Sequence, residues 1–235
     1  MNETSHAVCV GIIMDGNRRW AKAHNLPSFK GHEAGEAIFF TLLDEYQSIR
    51  EQWGTAHYIF YAFSTENWSR AQEEIAHLMG IFEQGFKKIG ERLPRLIEDG
   101  VKIRFLGERE RFSPYLQSLM NDFEQKTAAG TKGTIAIALS YSSRADMLQA
   151  MNRLTKEEKK TITENDISHA LWTRDIPAPD LIIRTGGEKR LSNFLMWESV
   201  YSELAFTDTL WPDFSRTELE KIFSDYASRE RRYGK

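Results

Sequence analysis

The sequence predicts an α/β fold in a single domain: a mostly parallel β-sheet with helices on both faces. Three observations carry that prediction. Short apolar runs alternate with amphipathic helical patterns along the chain, as they do where strands are buried on both sides. The length, 235 residues, suits one such domain. No internal repeat, low-complexity tract or Pro/Gly-rich linker interrupts it, so residues 1–235 are read as one unit. A hydrophobic fraction of 41% beside 28% charged residues is enough to build a core.

The elements follow in order. Residues 7–14 form a continuous apolar run closed by Asp15-Gly16-Asn17, a buried strand feeding a turn. Residues 15–20 then open a helix. Residues 57–63 are a second buried strand. Ile75, Leu78, Met79, Phe82, Phe86, Ile89, Leu93 and Leu96 recur in steps of three and four, which predicts an amphipathic helix. Residues 101–106 alternate apolar with charged, as an edge strand does. Residues 134–139 and 181–183 are further buried runs, and Ser215 with Glu218 has the spacing of a capping box at the start of a late helix. In such folds ligands sit beyond the carboxyl ends of the strands, where the polar motifs should be sought.

Composition removes several function classes. A net charge of −3 gives no footprint for nucleic acid, so an anionic ligand must be held by a local basic cluster. The single cysteine, Cys9, excludes an internal disulfide, fits a reducing cytosol and reads as a small core residue. No apolar stretch approaches the ~18 residues of a membrane span. Residues 1–6 lack the basic-then-apolar pattern of a signal peptide. A cytoplasmic protein with at most peripheral membrane contact is expected.

Two candidate sites carry chemistry, the first built from two stretches. Asp15-Gly16-Asn17-Arg18-Arg19-Trp20 follows the first strand. A helix start there offers backbone N–H groups, Gly16 allows close approach and Arg19 can fork onto phosphate oxygens. Asp15 would repel a phosphate unless a divalent cation lay between them, which is how Mg²⁺ is bound, by one or two carboxylates plus phosphate oxygens. The same residues could equally form a helix N-cap with solvated arginines. Ser64-Thr65-Glu66-Asn67-Trp68-Ser69-Arg70 leaves the second strand in the same manner, again with a cap as the plain alternative. His32 could reach the same pocket, although a lone histidine is ordinarily structural.

The second site runs from Asp180 to Phe194. A buried strand ends in Arg184, followed by Gly186, Gly187, Arg190 and Ser192, two guanidinium forks and a hydroxyl on a Gly-rich loop suited to pyrophosphate. The spacing is not that of a Walker loop. Glu203, further on, is a candidate second carboxylate near a metal. Two anion sites, a carboxylate and no evident nucleophile point to diphosphate chemistry by ionisation.

At these residues the chain resembles the cis-prenyltransferases, the undecaprenyl diphosphate synthase family, which extend an allylic diphosphate with isopentenyl diphosphate. The resemblance rests on residues 13–21, on 63–70 and on 183–194 with Ser202-Glu203 and Leu210-Trp211-Pro212-Asp213-Phe214, and runs from His6 to the tail at 229–234. It implies a six-stranded, mostly parallel sheet, an apolar substrate tunnel and a homodimer. It implies that Asp15 holds Mg²⁺ with Glu203 assisting. Gly16, Asn17, Arg19, His32 and Arg70 would bind the allylic diphosphate, with Arg18 and Trp20 of the same motif in the substrate set. Arg184, Arg190 and Ser192 would bind the second diphosphate, and Ser64, Asn67 and Trp68 would line the reacting centre. The helix at 75–96 would wall the tunnel.

Three departures from the family pattern stand out. Ser28 replaces the usual arginine after the proline, with Lys30 the nearest cation. Ser140-Tyr141-Ser142-Ser143-Arg144 replaces the usual Asn-Tyr-Gly-Gly-Arg. Phe39 and Phe40 put bulk on a helix expected to line the tunnel, and a long connection with Trp53 leads into the second strand. All are expected to act on the first substrate's site and to favour a short product, of about fifteen carbons or fewer if overpacking of ~1–3 kcal/mol bars a longer chain. Three readings result: a short-chain cis-prenyl elongase, an irregular head-to-middle coupling of two dimethylallyl units with or without cyclisation, and a silent partner subunit. The intact Asp15, Asn67, Arg184, Arg190 and Ser192 speak against the last.

Overall fold

The computed structural model describes residues 8–157, 159 and 161–229. The leader at 1–6, Ala7 of the first apolar run and the tail after Arg229, on which part of the resemblance rests, lie outside the described residues. Six strands form one sheet in the order β3-β4-β2-β1-β5-β6: β1 (Cys9–Ile13), β2 (His57–Ser64), β3 (Val101–Leu106), β4 (Gly133–Tyr141), β5 (Leu181–Arg184) and β6 (Glu203–Phe206). Every pairing is parallel, so the sheet is wholly rather than mostly so. The residues 101–106 do stand at an edge, as β3.

Helices cover both faces. The larger core layer joins α2 (Ser28–Trp53), α3 (Gln72–Glu98), α4 (Pro114–Thr127) and α7 (Arg216–Ala227) to one side of the sheet. The other side carries Phe194, Leu195 and Tyr141, with a small cluster between α5 (Ser143–Lys156) and α6 (Glu164–Ala170) behind it. The 3.6-residue period of α3 buries Leu78, Phe86, Ile89, Leu93 and Leu96. Cys9 is wholly buried, and burial pushes its thiol far up from its ordinary value, which fits a core residue.

Two local expectations need correction. β6 was not foreseen, because its four residues Glu-Leu-Ala-Phe lie only half buried at the sheet edge and make no buried run. The capping box at Ser215 is half formed. Ser215 Oγ accepts from Glu218 N at 3.3 Å, but the Glu218 carboxylate is bonded to Thr207 Oγ1. Trp53 packs against Phe223 of α7, its ring 5.7 Å away, far from the carboxyl end of the sheet.

The strand order places the site. β1 lies between β2 and β5, with Ile13 opposite Tyr61 on one side and Arg184 on the other. The chain therefore leaves β1, β2 and β5 at one end of the sheet, and the crevice opens where the strand order reverses about β1.

Candidate active site

Asp15 leaves β1 and turns at Gly16, whose φ of 115° is left-handed; a Cβ there would meet Leu210 at 2.9 Å. Gly16, not Asp15, is the N-cap of α1 (Asn17–Ala23), and no side chain caps it, so the plain reading of Asp15 as a cap does not hold. Thr185 fixes the backbone here: its Oγ1 accepts from Asp15 N at 3.0 Å and donates to Asp15 O at 2.7 Å.

The Asp15 carboxylate faces two guanidiniums. Its Oδ2 accepts from Arg184 Nη2 at 2.8 Å, and its Oδ1 lies 3.2 Å from Arg19 Nη2. Arg19 Nη1 also donates to Gly186 O at 2.5 Å. Gly186 has φ 83°, and a Cβ on it would lie 2.5 Å from Arg19 Nη2, so glycine is what lets the two loops meet. Arg184 is buried, as an arginine at the end of an apolar strand must be when it has partners. Its Nη1 donates to Ser192 Oγ at 2.8 Å and to the Arg190 carbonyl. Ser192 and Asn193 are both left-handed, at φ 49° and 64°, so the loop is tightly folded around the guanidinium.

The second motif closes the other side. Ser64 N donates to Asn67 Oδ1 at 3.0 Å, and the Ser64 side chain in turn accepts from the Asn67 backbone, a reciprocal capping box over a 3₁₀ turn at Thr65–Ser69. The plain reading of these two as a cap is thus also true of them, and both still line the cleft. Arg70 Nη1 lies 2.8 Å from Glu74 Oε1, which is 3.7 Å from Arg18 Nε and 3.9 Å from His32 Nε2. Glu74 therefore gathers three expected anion-binding groups. Burial first, then the positive charge of Arg70, holds the His32 imidazole down at about 4, so it is neutral at pH 7. Its Nε2 and Asn17 Oδ1 are buried without a hydrogen-bond partner.

These residues bound an open cleft of about 1270 Å³. Asp15, Gly16, Asn17, Arg18, Arg19, His32, Ser64, Asn67, Arg70, Arg184 and Ser192 all line it, as does Ser28. Beside it, between α2 and α3, lies an apolar pocket of about 120 Å³. Met14, Asn17, His32, Tyr61, Ala62 and Leu78 belong to both walls, so one opens beside the other. Phe39 and Phe40 line the pocket, as the sequence suggests.

Several expected residues stand elsewhere. Trp20 stacks on His24 and donates from Nε1 to Asp213 at 2.7 Å, outside the cleft lining. Trp68 donates to Ser140 Oγ at 2.9 Å and packs edge-on to Phe63, behind the cleft. The Arg190 side chain pairs with Glu188 at the surface; only its carbonyl reaches the site, through Arg184. Glu203 begins β6 opposite Leu181, three residues before Arg184 on β5, which at ~3.3 Å per residue is about 10 Å from the Arg184 end. Its carboxylate pairs with Arg229 Nη1 at 2.6 Å, so within one chain it does not join Asp15. Lys30 pairs with Glu33 at 2.7 Å and is not in the lining, so it does not stand in for the arginine replaced by Ser28.

Ser142 and Ser143 also differ from expectation. Ser142 caps α5, accepting from Ala145 N at 3.1 Å, and Ser143 Oγ accepts from Met196 N at 3.0 Å. Only Ser143 reaches the end of the arginine loop, and neither serine lines the first substrate's side. Among residues the sequence reasoning missed, Glu74, Thr185, Tyr61 and Arg144 carry the most: only their neighbours in space reveal them. Tyr61, with its hydroxyl 3.3 Å from the carbonyls of Tyr141 and Ser192, ties β2 to the loop, and Arg144 adds a cation to the cleft wall.

Among the described residues no three acids, histidines or cysteines gather as a metal cage. One carboxylate facing a cationic cleft fits Mg²⁺ all the same, because that ion takes few protein ligands and completes its shell with phosphate oxygens and water.

The comparisons with known proteins concern the whole chain. A family model described as "Putative undecaprenyl diphosphate synthase" matches residues 13–234. An isoprenyl transferase of Neisseria gonorrhoeae is 42% identical over 226 residues, covering 96% of this chain and 88% of its own. A ditrans,polycis-undecaprenyl-diphosphate synthase of Pseudomonas putida, described as (2E,6E)-farnesyl-diphosphate specific, is 40% identical over 96% of this chain and 90% of its own. Among solved structures, lavandulyl diphosphate synthase from Lavandula x intermedia, in complex with dimethylallyl diphosphate, superposes with a TM-score of 0.88 at 28% identity, covering 98% of this chain and 99% of that one. A "probable undecaprenyl diphosphate synthase" from Campylobacter jejuni gives 0.79 at 26% identity over the whole of both chains.

Proposed function

The chain belongs to the undecaprenyl diphosphate synthase family of cis-prenyltransferases, and on that premise we propose that it joins dimethylallyl diphosphate to isopentenyl diphosphate and stops at a short product. That it is a prenyl-transferring enzyme acting on isoprenoid diphosphates follows from the family. The chain length is our inference, and the apolar pocket carries it. A dry cavity of about 150 Å³ holds one benzene molecule. A pocket of about 120 Å³ therefore takes roughly one five-carbon tail.

In this reading Gly16, Asn17, Arg19, His32 and Arg70, with Arg18 at the rim, hold the allylic diphosphate, and Arg184 and Ser192 hold the second one. Asp15 would hold Mg²⁺, which when bound offsets the charge of the departing diphosphate. The arginines supply fixed positive charge where negative charge grows as the allylic C–O bond breaks. Met14, Ala62 and Leu78 at the pocket mouth exclude water from the cation. The isopentenyl double bond attacks it, a new C–C bond forms, and one proton and one pyrophosphate leave. Neutral His32 keeps an imidazole at the junction without adding a second positive charge beside the cation. A second copy of the chain is the partner expected. Val200, Tyr201 and Leu204 are exposed beside and along edge strand β6, and Glu203 lies among them.

The close superposition on lavandulyl diphosphate synthase favours a second reading, irregular coupling of two dimethylallyl units. One experiment separates them. The protein is incubated with Mg²⁺ and each C5 diphosphate singly and as a pair, and products are identified by mass. Strict need for isopentenyl diphosphate and products of about fifteen carbons or fewer are expected. A ten-carbon diphosphate from dimethylallyl diphosphate alone would establish the irregular reaction, and efficient synthesis of a long polyprenyl chain would refute both. Full turnover in EDTA would remove the metal from the mechanism.

A further inference from the structure

The apolar pocket contains one carboxylate. Glu36 lies in its lining among Phe39, Phe40, Phe82 and Phe86. It is four residues beyond His32 on α2, about 6 Å down the helix from the pocket mouth, and it precedes Phe39 by three residues in the same direction. Its Oε2 accepts from Lys88 Nζ of α3 at 2.5 Å, while its Oε1 is buried without a hydrogen-bond partner. Gly85, on the facing turn of α3, is in the lining too, and a Cβ there would come within 3.0 Å of Oε1. The missing side chain leaves that oxygen its space. Lys88 does not enter the lining. It lies 5.2 Å from the centroid of the Phe40 ring, so the ion pair is anchored from the solvent side of the pocket wall.

A free carboxylate oxygen in a hydrocarbon-lined pocket is a costly choice for packing alone, since leucine or alanine would fill the position without it. Hydrocarbon that slides over Oε1 cannot hydrogen-bond to it and shuts out the water that could. The penalty is absent for a tail that ends above Glu36 and present for one that passes it.

We propose that Glu36, held by Lys88, is a specificity-determining residue: a polar stop in the wall of the pocket that sets how far a prenyl tail descends. This rests on the reading of the pocket as the prenyl site. The stop acts through polarity and comes before the aromatic floor, so bulk at Phe39 meets only chains that have already passed Glu36. Polarity and bulk can therefore be separated.

The test compares Glu36→Leu, which keeps size and removes polarity, with Glu36→Gln, which keeps size and a hydrogen-bonding group, and with Phe39→Ala, which removes bulk. Each variant is given dimethylallyl and isopentenyl diphosphates, and product lengths are read by mass spectrometry beside a melting profile. Glu36→Leu is expected to raise the share of products longer by one or more five-carbon units by about tenfold, the factor set by one unsatisfied polar contact. Glu36→Gln should raise it less. If Glu36→Leu does not fold, Glu36→Met, flexible and apolar at similar length, carries the same comparison. An unchanged product from a folded apolar variant, with lengthening by Phe39→Ala, overturns the polar stop and leaves the pocket reading standing. No change from any of the three overturns both.

Discussion

Arg184 shows how much one side chain does here. It is the buried end of β5, and its two terminal nitrogens reach Asp15, Ser192 and the Arg190 carbonyl at once. A fork that already spans three acceptors is preorganised for a diphosphate, and a lysine has a single point charge in its place. Arg184→Lys is therefore expected to raise KM for isopentenyl diphosphate by roughly tenfold or more, about 1.4 kcal/mol, in steady-state assays. A silent Arg184→Lys would move the second diphosphate elsewhere. Arg190, whose side chain turns to Glu188, is expected to matter much less to the same constant, contrary to what its motif alone suggests. The motif places both arginines on one loop, but it does not say which one the loop folds around.

Among the elements, the start of α5 separates local from functional explanations. Read in the sequence, Ser142 and Ser143 crowd a strand end where glycines are usual. In the structure Ser142 is the N-cap of α5, and Ser143 holds the backbone of Met196. A cap removed by alanine costs about 1 kcal/mol, and by glycine only a few tenths. Ser142→Ala should then lower the melting temperature by about 2–4 °C, Ser142→Gly by much less, and neither should change product length. A shift in product length with either variant would return these serines to the first substrate's site. The helix pair α2 and α3, in contrast, is where length should respond, because its facing side chains are the pocket wall.

At the scale of the whole molecule, the sheet ends in β6 with its outer edge unpaired among the described residues, and exposed Val200 and Leu204 lie beside and on it. An open edge beside exposed apolar side chains is a surface on which a second copy can pair. Light scattering should give twice the 27.2 kDa chain mass, and Val200→Asp combined with Leu204→Asp should give the chain mass itself. A wild-type protein that runs at the single-chain mass at micromolar concentration would rule the pairing out. No helix among the described residues is long and apolar enough to cross a membrane.

The sequence by itself determined the alternation of strands and helices, because burial on both faces writes a continuous apolar run and a helix writes a 3.6-residue period. It also determined that Asp15, Asn17, Asn67 and Arg184 stand at or just beyond the carboxyl ends of buried strands; the strand order, with β1 between β2 and β5, is what brings them to one place. Other facts depended on partners distant in the chain. Trp20, Trp68 and Glu203 sit inside the right motifs yet are claimed by Asp213, Ser140 and Arg229, and no local pattern records those bonds. Glu74 and Glu36 lie in ordinary amphipathic helix sequence, where a glutamate reads as solvated surface. Only the packing of α3 against α1 and α2 turns the first into the hub of three basic groups and the second into a carboxylate inside a hydrocarbon pocket. Side-chain direction is set by what the opposite element leaves open, and that is decided when the elements pack.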